Sequence, residues 1–207
     1  MSGAFAKEFE PQSLQTLYTK MRKTAKARFN CAKRLRAHET LSLWILPLFS
    51  AGLIGMTLLS ALQIHTNLTP PLFNLLEIML ALLVLVISLI LSANKYSDRA
   101  EKMHRCALEI NALCHQILPE CVANPSNVTT YNTTADKYAA ILDAYENHSD
   151  IDFALVKLEL TDDYPLEWHQ RAAIRLLYIF NFWLHIVLLC LLPLAAAWLF
   201  WPVRASA

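Results

Sequence analysis

Three long runs of uncharged, mostly apolar residues constrain this chain more than any other feature. They cover about Leu41–Leu62, Phe73–Asn94 and Leu176–Val203. Each supplies the roughly 20 residues that an α-helix needs to cross about 30 Å of hydrocarbon. Positions 40–94 and 176–203 hold 83 residues with one charge, Glu77, whereas the other 124 hold the remaining 34. A chain of 207 residues is too short to bury three such helices in a soluble core. The expectation is an all-α membrane protein with a two-helix transmembrane hairpin, a C-terminal hydrophobic helix and a helical cytoplasmic module. The third run, at 28 residues, exceeds a perpendicular crossing. It therefore reads as a third transmembrane helix, tilted or partly interfacial, or as a re-entrant segment. Forty residues with 12 charges precede the first run, which is unlike a signal peptide.

Lysine and arginine set the expected orientation. Residues 1–40 carry 9 basic and 3 acidic side chains, with Lys33, Arg34 and Arg36 just before the first run. The connection from Gln63 to Asn74 has no charge, the second run exits into Lys95, Arg99, Lys102 and Arg105, and Arg171 and Arg175 precede the third. Positive-inside then places the N-terminus and residues 95–175 in the cytoplasm and the Pro70-Pro71 connection outside.

The chain divides accordingly into 1–40, 41–94, 95–175 and 176–203. In the first segment Leu14, Tyr18, Met21, Ala25, Ala32 and Leu35 form one helical stripe with Arg28 in the same register, and the lysines mostly lie off it. This basic amphipathic helix can pack on its neighbours with its lysines near anionic headgroups, or offer a nucleic-acid surface. Beyond Asn94 no Gly or Pro occurs until Pro119, and Tyr96, Ala100, Met103, Ala107, Ile110, Cys114 and Ile117 form a heptad-like series. One helix is therefore expected from Phe73 to Leu118, with a seam meeting the N-terminal helix or the same helix of another copy. Cys121–Asn132 reads as a loop and a helix follows from about Thr133. Ser149 with Asp152 has capping-box spacing for a helix through Leu160. Pro165 is placed to open a helix running into the third hydrophobic stretch.

Chemistry is sparse. Three glycines leave little for a phosphate loop, and G-x-S-x-G, H-E-x-x-H and C-x-x-C are absent from the sequence. No enzyme activity, cofactor or metal is expected, since Cys114, His115 and Cys121 fit no usual metal spacing. The polar stretch Asn147-His148-Ser149-Asp150-Ile151-Asp152 reads as a corner between helices or an interaction site, with His148 and Asp150 as an acid–base pair in a lipid enzyme the poorer option. Arg28, Arg34, Tyr96, Arg99, Met103, Ile110, Asn147, His148, Asp150 and Asp152 are the candidate contacts within an oligomer or to a partner. Glu77 invites two readings. It can form a ring of carboxylates at the outer mouth of an oligomeric pore, or it can snorkel one turn into its helix near the positive end of the dipole. Asn74, Ser88, Ser92, Ser50 and Thr57 are the other candidate pore-lining groups, and Asn181 with His185 suits a helix–helix contact.

Taken together, Tyr18–Leu35, the hairpin, the opening Tyr96, Asp98, Arg99, Ala100, Glu101 and the stretch Tyr138…Tyr145-Glu146-Asn147-His148-Ser149-Asp150-Ile151-Asp152 resemble the SLATT family. These are two-transmembrane effector domains associated with bacterial nucleotide-signalling and reverse-transcriptase defence loci. The resemblance covers nearly the whole chain and is nearest the branch with the Asn-His-Ser-Asp-x-Asp stretch. It implies an antiphage effector of the bacterial inner membrane that forms a homo-oligomer. On a signal from a sensor protein encoded at the same locus, such as a reverse transcriptase or nucleotide-signal system, it would open a pore and cause abortive infection. A non-conducting membrane scaffold that recruits a cytoplasmic partner is the alternative. Residues 95–175 carry 8 basic and 13 acidic side chains, so no extended nucleic-acid surface is expected there.

Overall fold

The structure, a computed structural model, describes residues 13–64, 66 and 68–199. Every regular element among them is an α-helix: α1 Leu14–Ala61, α2 Pro70–Asn94, α3 Tyr96–Ala123, α4 Val128–Ala144, α5 Asp150–Glu159, α6 Trp168–Phe180 and α7 Trp183–Leu199. Two of the helical stretches are long and apolar enough to cross a membrane, Leu14–Ala61 and Pro70–Ala123.

The amphipathic N-terminal segment and the first apolar run are one helix of 48 residues, about 72 Å long at 1.5 Å per residue. Nothing from Leu14 to Leu46 interrupts it, since the first proline inside it is Pro47. Its start is held by Ser13, whose Oγ accepts the Thr16 N–H at 3.2 Å. Its end closes with Gln63 in the left-handed region (φ 53°). There the Ile64 N–H donates to the Leu59 carbonyl and the Gln63 N–H to that of Ser60, which satisfies two of the terminal carbonyls in the Schellman manner.

Five expectations are corrected. The second apolar helix starts at Pro70, because Pro70 and Pro71 occupy its first positions after Thr69, where a missing N–H costs nothing. The expected uninterrupted passage into α3 is broken at Lys95, which adopts φ 45°, ψ 46°. The expected loop over Cys121–Asn132 shrinks to Asn124–Asn127, because the Asn127 side chain accepts the Thr130 N–H and caps α4 at Val128. Pro165 does not open a helix: α6 starts at Trp168, with the Glu167 N–H donating to Gln170 Oε1 at 3.1 Å. The run from Leu176 is not one helix either, since α6 and α7 meet at a 59° bend across Asn181-Phe182.

The chain forms two compact units. The first comprises the described residues up to Arg34 together with Asp98–Ile174, and the second comprises Leu35–Ser97 with those from Arg175. In the first unit Leu17, Met21 and Ala25 of α1 pack with Cys106, Ile110, Leu113, Cys114 and Ile117 of α3 and Tyr138 of α4. The heptad-like series is thus consumed inside the chain. In the second unit Ile45 and Phe49 of α1, Leu188 of α7, and Leu80, Leu83, Val84 and Ile87 of α2 form one apolar cluster. Met56 and Phe73 form another with Leu59, Leu68 and Leu80.

Ile110 is fully buried, so Ile110→Ala should lower stability by about 2–5 kcal/mol. Val122→Ala, at a position 81% exposed, should change it by less than about 0.5 kcal/mol. Thermal unfolding of the purified protein in detergent measures both. Equal effects would mean that the α1–α3–α4 core does not carry the fold.

Candidate functional site

The first unit buries its charged residues at one corner. Asn30 and Arg34 share one face of α1 and Arg28 lies more than 100° round from both, yet all three are nearly inaccessible, as is Asp152 at 0% exposure. α1 is therefore enclosed on more than its apolar stripe, and polar partners must meet these side chains because unpaired buried charge is costly. Asp152 is delivered by the capping box. It sits at N3 of α5, and the Ser149 N–H donates to its Oδ2 at 3.0 Å. Arg34 then grips the same carboxylate with both arms, Nε to Oδ1 at 2.8 Å and Nη2 to Oδ2 at 2.9 Å, and Nη2 also reaches Ser149 Oγ at 3.0 Å. Asn30 Nδ2 donates to the Asp152 carbonyl at 3.4 Å.

Arg28 lies nearly two turns before Arg34. Its guanidinium donates to the Glu146 carbonyl, to Asn147 Oδ1 at 3.5 Å and to Met103 Sδ at 3.4 Å, while its Nε is buried with no partner. From α3, Arg99 holds the Glu146 carboxylate in a second fork at 2.8 and 3.1 Å. The turn joining α4 to α5 is thus held by arginines from two helices.

The electrostatics follow from this packing. The Asp152 hydrogen bonds raise Arg34 above its ordinary value, and those of Glu146 do the same for Arg99. Burial, reinforced by the Asp152 charge, pushes the Cys31 thiol up to about 12, so it stays protonated and non-nucleophilic at neutral pH. Burial, with the positive Arg28 adding to it, lowers His148 below its usual 6.5, and its Nδ1 is buried without a partner.

Of the ten candidate contact residues, this corner gathers Arg28, Arg34, Arg99, Met103, Asn147, His148 and Asp152. Asp150 is exposed in the first turn of α5, and Ile110 lies in the apolar core. Tyr96 belongs to the second unit, where it stacks on His38 with ring centroids 5.2 Å apart. Met103 and Ile110 are 1% and 0% exposed within a single chain, so neither offers surface to another copy in this conformation. Asn30, Cys31 and Glu146 went unassigned as contacts. The i,i+4 spacing of Asn30 and Arg34 was the available signal, although both lie off the apolar stripe that holds Arg28. Lys23 and Lys26, off the stripe, pair with Asp163 at 3.3 Å and Glu159 at 3.0 Å, so part of the basic face is already answered from within the chain.

The second unit carries the candidate pore residues. Asn74, Glu77, Ser88 and Ser92 fall within about 60° of one another around α2 at 100° per residue, forming one polar stripe. Glu77 is half-buried, and because α2 begins at Pro70 it lies two turns in, where the terminal dipole has largely faded. Asn74 lines a cavity of about 410 Å³ with Leu59, Ser60, Gln63 and Pro70 among its neighbours. Ser50 Oγ donates to the Leu46 carbonyl at 2.9 Å and Thr57 Oγ1 to that of Ile54 at 2.8 Å. His185 of α7 does contact α1, and Asn181 reaches α1 from the bend between α6 and α7. Asn181 Oδ1 lies 2.9 Å from His38 Nε2, and His185 Nε2 lies 3.1 Å from Ser42 Oγ. Their α1 partners, four residues apart, were not foreseen.

Among the described residues no group of three or more His, Cys, Asp or Glu side chains converges to hold a metal ion. Cys114 is buried in the core while the adjacent His115 is exposed. Residues 10–199 match the sequence profile of the SMODS and SLOG-associating 2TM effector domain family 5. No curated protein and no solved structure matches the chain.

Removing one partner of a buried ion pair strands the other, at about 3–5 kcal/mol, whereas replacing both with apolar groups can be nearly neutral. Arg34→Met should therefore cost about 3–5 kcal/mol and Arg34→Met with Asp152→Leu far less, read by thermal unfolding in detergent. Strictly additive losses would refute this account of the corner.

His148 yields a second expectation. Its folded pKa lies below the unfolded 6.5, so the unfolded chain binds the proton first. The stabilising share of neutral His148 is complete above pH 6.5 and is lost as pH falls through that value to the folded pKa. His148→Gln should flatten the pH dependence of Tm in that window. An unchanged slope would assign it to other groups.

Proposed function

Because the chain belongs to the SMODS and SLOG-associating 2TM effector domain family 5, we propose that it is the membrane effector of a bacterial antiphage defence system. In this reading copies of the chain assemble in the inner membrane, with the N-terminus and residues 95–175 in the cytoplasm. A partner or nucleotide signal opens a pore that depolarises the infected cell. The observation that carries the reading is the polar stripe Asn74–Glu77–Ser88–Ser92 on α2, set beside wide apolar exposure at Leu75, Ile78, Leu82, Leu85 and Leu89. A span that faced only lipid would have no use for a carboxylate two turns inside it. Side by side in a ring, such stripes would line a water-filled path, with Glu77 attracting cations. The Arg34–Asp152 corner supplies a stable cytoplasmic unit on which a partner could act.

Expression in a bacterial host should collapse the membrane potential and release potassium before growth stops. Glu77→Gln should lower the cation-over-anion permeability ratio severalfold in planar bilayers. Growth arrest with an unchanged membrane potential would overturn the pore. Full activity after both spans are exchanged for unrelated ones would favour the non-conducting scaffold.

A further inference from the structure

The thirteen residues of α6 contain no buried side chain, yet their pattern is strongly two-sided. Ala173, Leu176, Leu177 and Phe180 recur at i, i+3, i+4 and i+7 and share one face. Arg171, Arg175 and Tyr178 share the face opposite, about 180° away at 100° per residue. The apolar face is open: Leu176 is 66% exposed, Leu177 60% and Phe180 67%. On the polar face Arg171 and Tyr178 are half-buried, and Arg171 Nε donates to the Leu166 carbonyl at 3.1 Å. Length counts against a crossing, since α6 would reach only about 20 Å, short of the hydrocarbon thickness. The chain then turns by 59° into α7, whose 17 residues would reach about 25 Å. Trp168 opens α6 and Trp183 opens α7, and such amphipathic rings favour the headgroup boundary.

We infer that α6 lies in the plane of the cytoplasmic leaflet, its Ala173–Leu176–Leu177–Phe180 face in the acyl boundary and Arg171 and Arg175 at the phosphates of anionic phospholipid. The inference rests on the reading that α7 is embedded in the bilayer. Two observations favour lipid over a second copy as occupant. The apolar face continues directly into a hydrophobic helix, and the basic residues stand opposite it, as in helices that float at an interface. A protein groove would instead leave the arginines no phosphate to meet. In this arrangement the hydrophobic run from Leu176 belongs partly to the interface, and the bend at Asn181-Phe182 is where the chain leaves the membrane plane.

The test uses the full chain in vesicles of phosphatidylcholine, alone or with phosphatidylglycerol. Single nitroxide labels are placed along 171–191. Cys31, Cys106 and Cys114 are buried and stay unlabelled, so only Cys121→Ser and Cys190→Ser are needed. The ratio of oxygen to nickel-chelate accessibility should oscillate with the helical period along α6. It should be severalfold higher at 173, 176, 177 and 180 than at 171, 175 and 178. Depth should then change steadily from 183 onward. Labels at 176 and 180 should sit deeper in the vesicles containing phosphatidylglycerol, and Arg171→Gln with Arg175→Gln should abolish that difference.

A steady depth ramp through α6 would overturn the inference in favour of a continuous span. Low accessibility to both reagents at 176 and 180 would place a protein surface there and overturn it too. High nickel accessibility confined to α6 would make that helix aqueous and refute the inference while leaving α7 embedded. The same result extending through 184–191 would instead overturn the membrane reading of α7.

Discussion

The fork between Arg34 and Asp152 is the contact on which the first unit depends. Removing two full charges from water costs several kcal/mol per ion, and the pair offsets that only when geometry is good and the spare hydrogen-bonding groups are satisfied. Here both conditions are met by a single turn of chain. The capping box that starts α5 also aims Asp152, so the carboxylate receives the Ser149 N–H and two guanidinium hydrogens at 2.8–3.0 Å. Local helix initiation and long-range docking therefore share the same two residues. A sequence that lost Ser149 would weaken the cap and the seat of Arg34 together.

Around that fork the corner is graded. Arg99 and Glu146 are each about 40% exposed, and a bond screened by water contributes little, on the order of 1 kcal/mol or less. Arg28 is buried but only partly satisfied, its Nε being left without a partner. A buried donor left unmatched costs about 1–3 kcal/mol, so this arginine is held less well than the pair beside it. Neutral His148 tolerates that neighbour, and a protonated one would add a second positive charge to it. The corner is thus held firmly at Asp152 and loosely at the Asn147-His148 turn. If the unit yields to a partner anywhere, the physical gradient favours yielding at that turn.

Much of this could be read from the residues because the strongest signals were local. Run length identified the apolar helices, period 3.6 identified the stripe from Leu14 to Leu35, and Ser149–Asp152 spacing located a cap that the structure contains. What escaped was what depends on neighbours or on a single backbone angle. Nothing in a lysine announces the left-handed φ of Lys95. Nothing in an Asn-Phe pair inside an apolar run announces a 59° bend. The Thr-rich start of α4 looked like loop because threonine is a poor helix former, and one Asn127 cap outweighed it. The heptad-like series of α3 could have joined two chains or one; only the burial of Ile110, Cys114 and Ile117 against α1 and α4 showed which.

The polar groups of the hairpin differ in kind, which bears on where function concentrates. Ser42, Ser50 and Thr57 return their hydroxyl hydrogens to carbonyls three or four residues back in α1, so each is satisfied by its own helix and tolerable in lipid. Glu77 has no such recourse. An ionised carboxylate only accepts, the interior N–H groups of α2 are already committed to the helix, and the free N–H groups of its first turn are two turns away. Its needs can be met only from outside its own backbone, by water, a cation or a donor on another helix. A serine in the span is compatible with any environment, whereas Glu77, the one charge of residues 40–94, needs a partner from beyond its own helix.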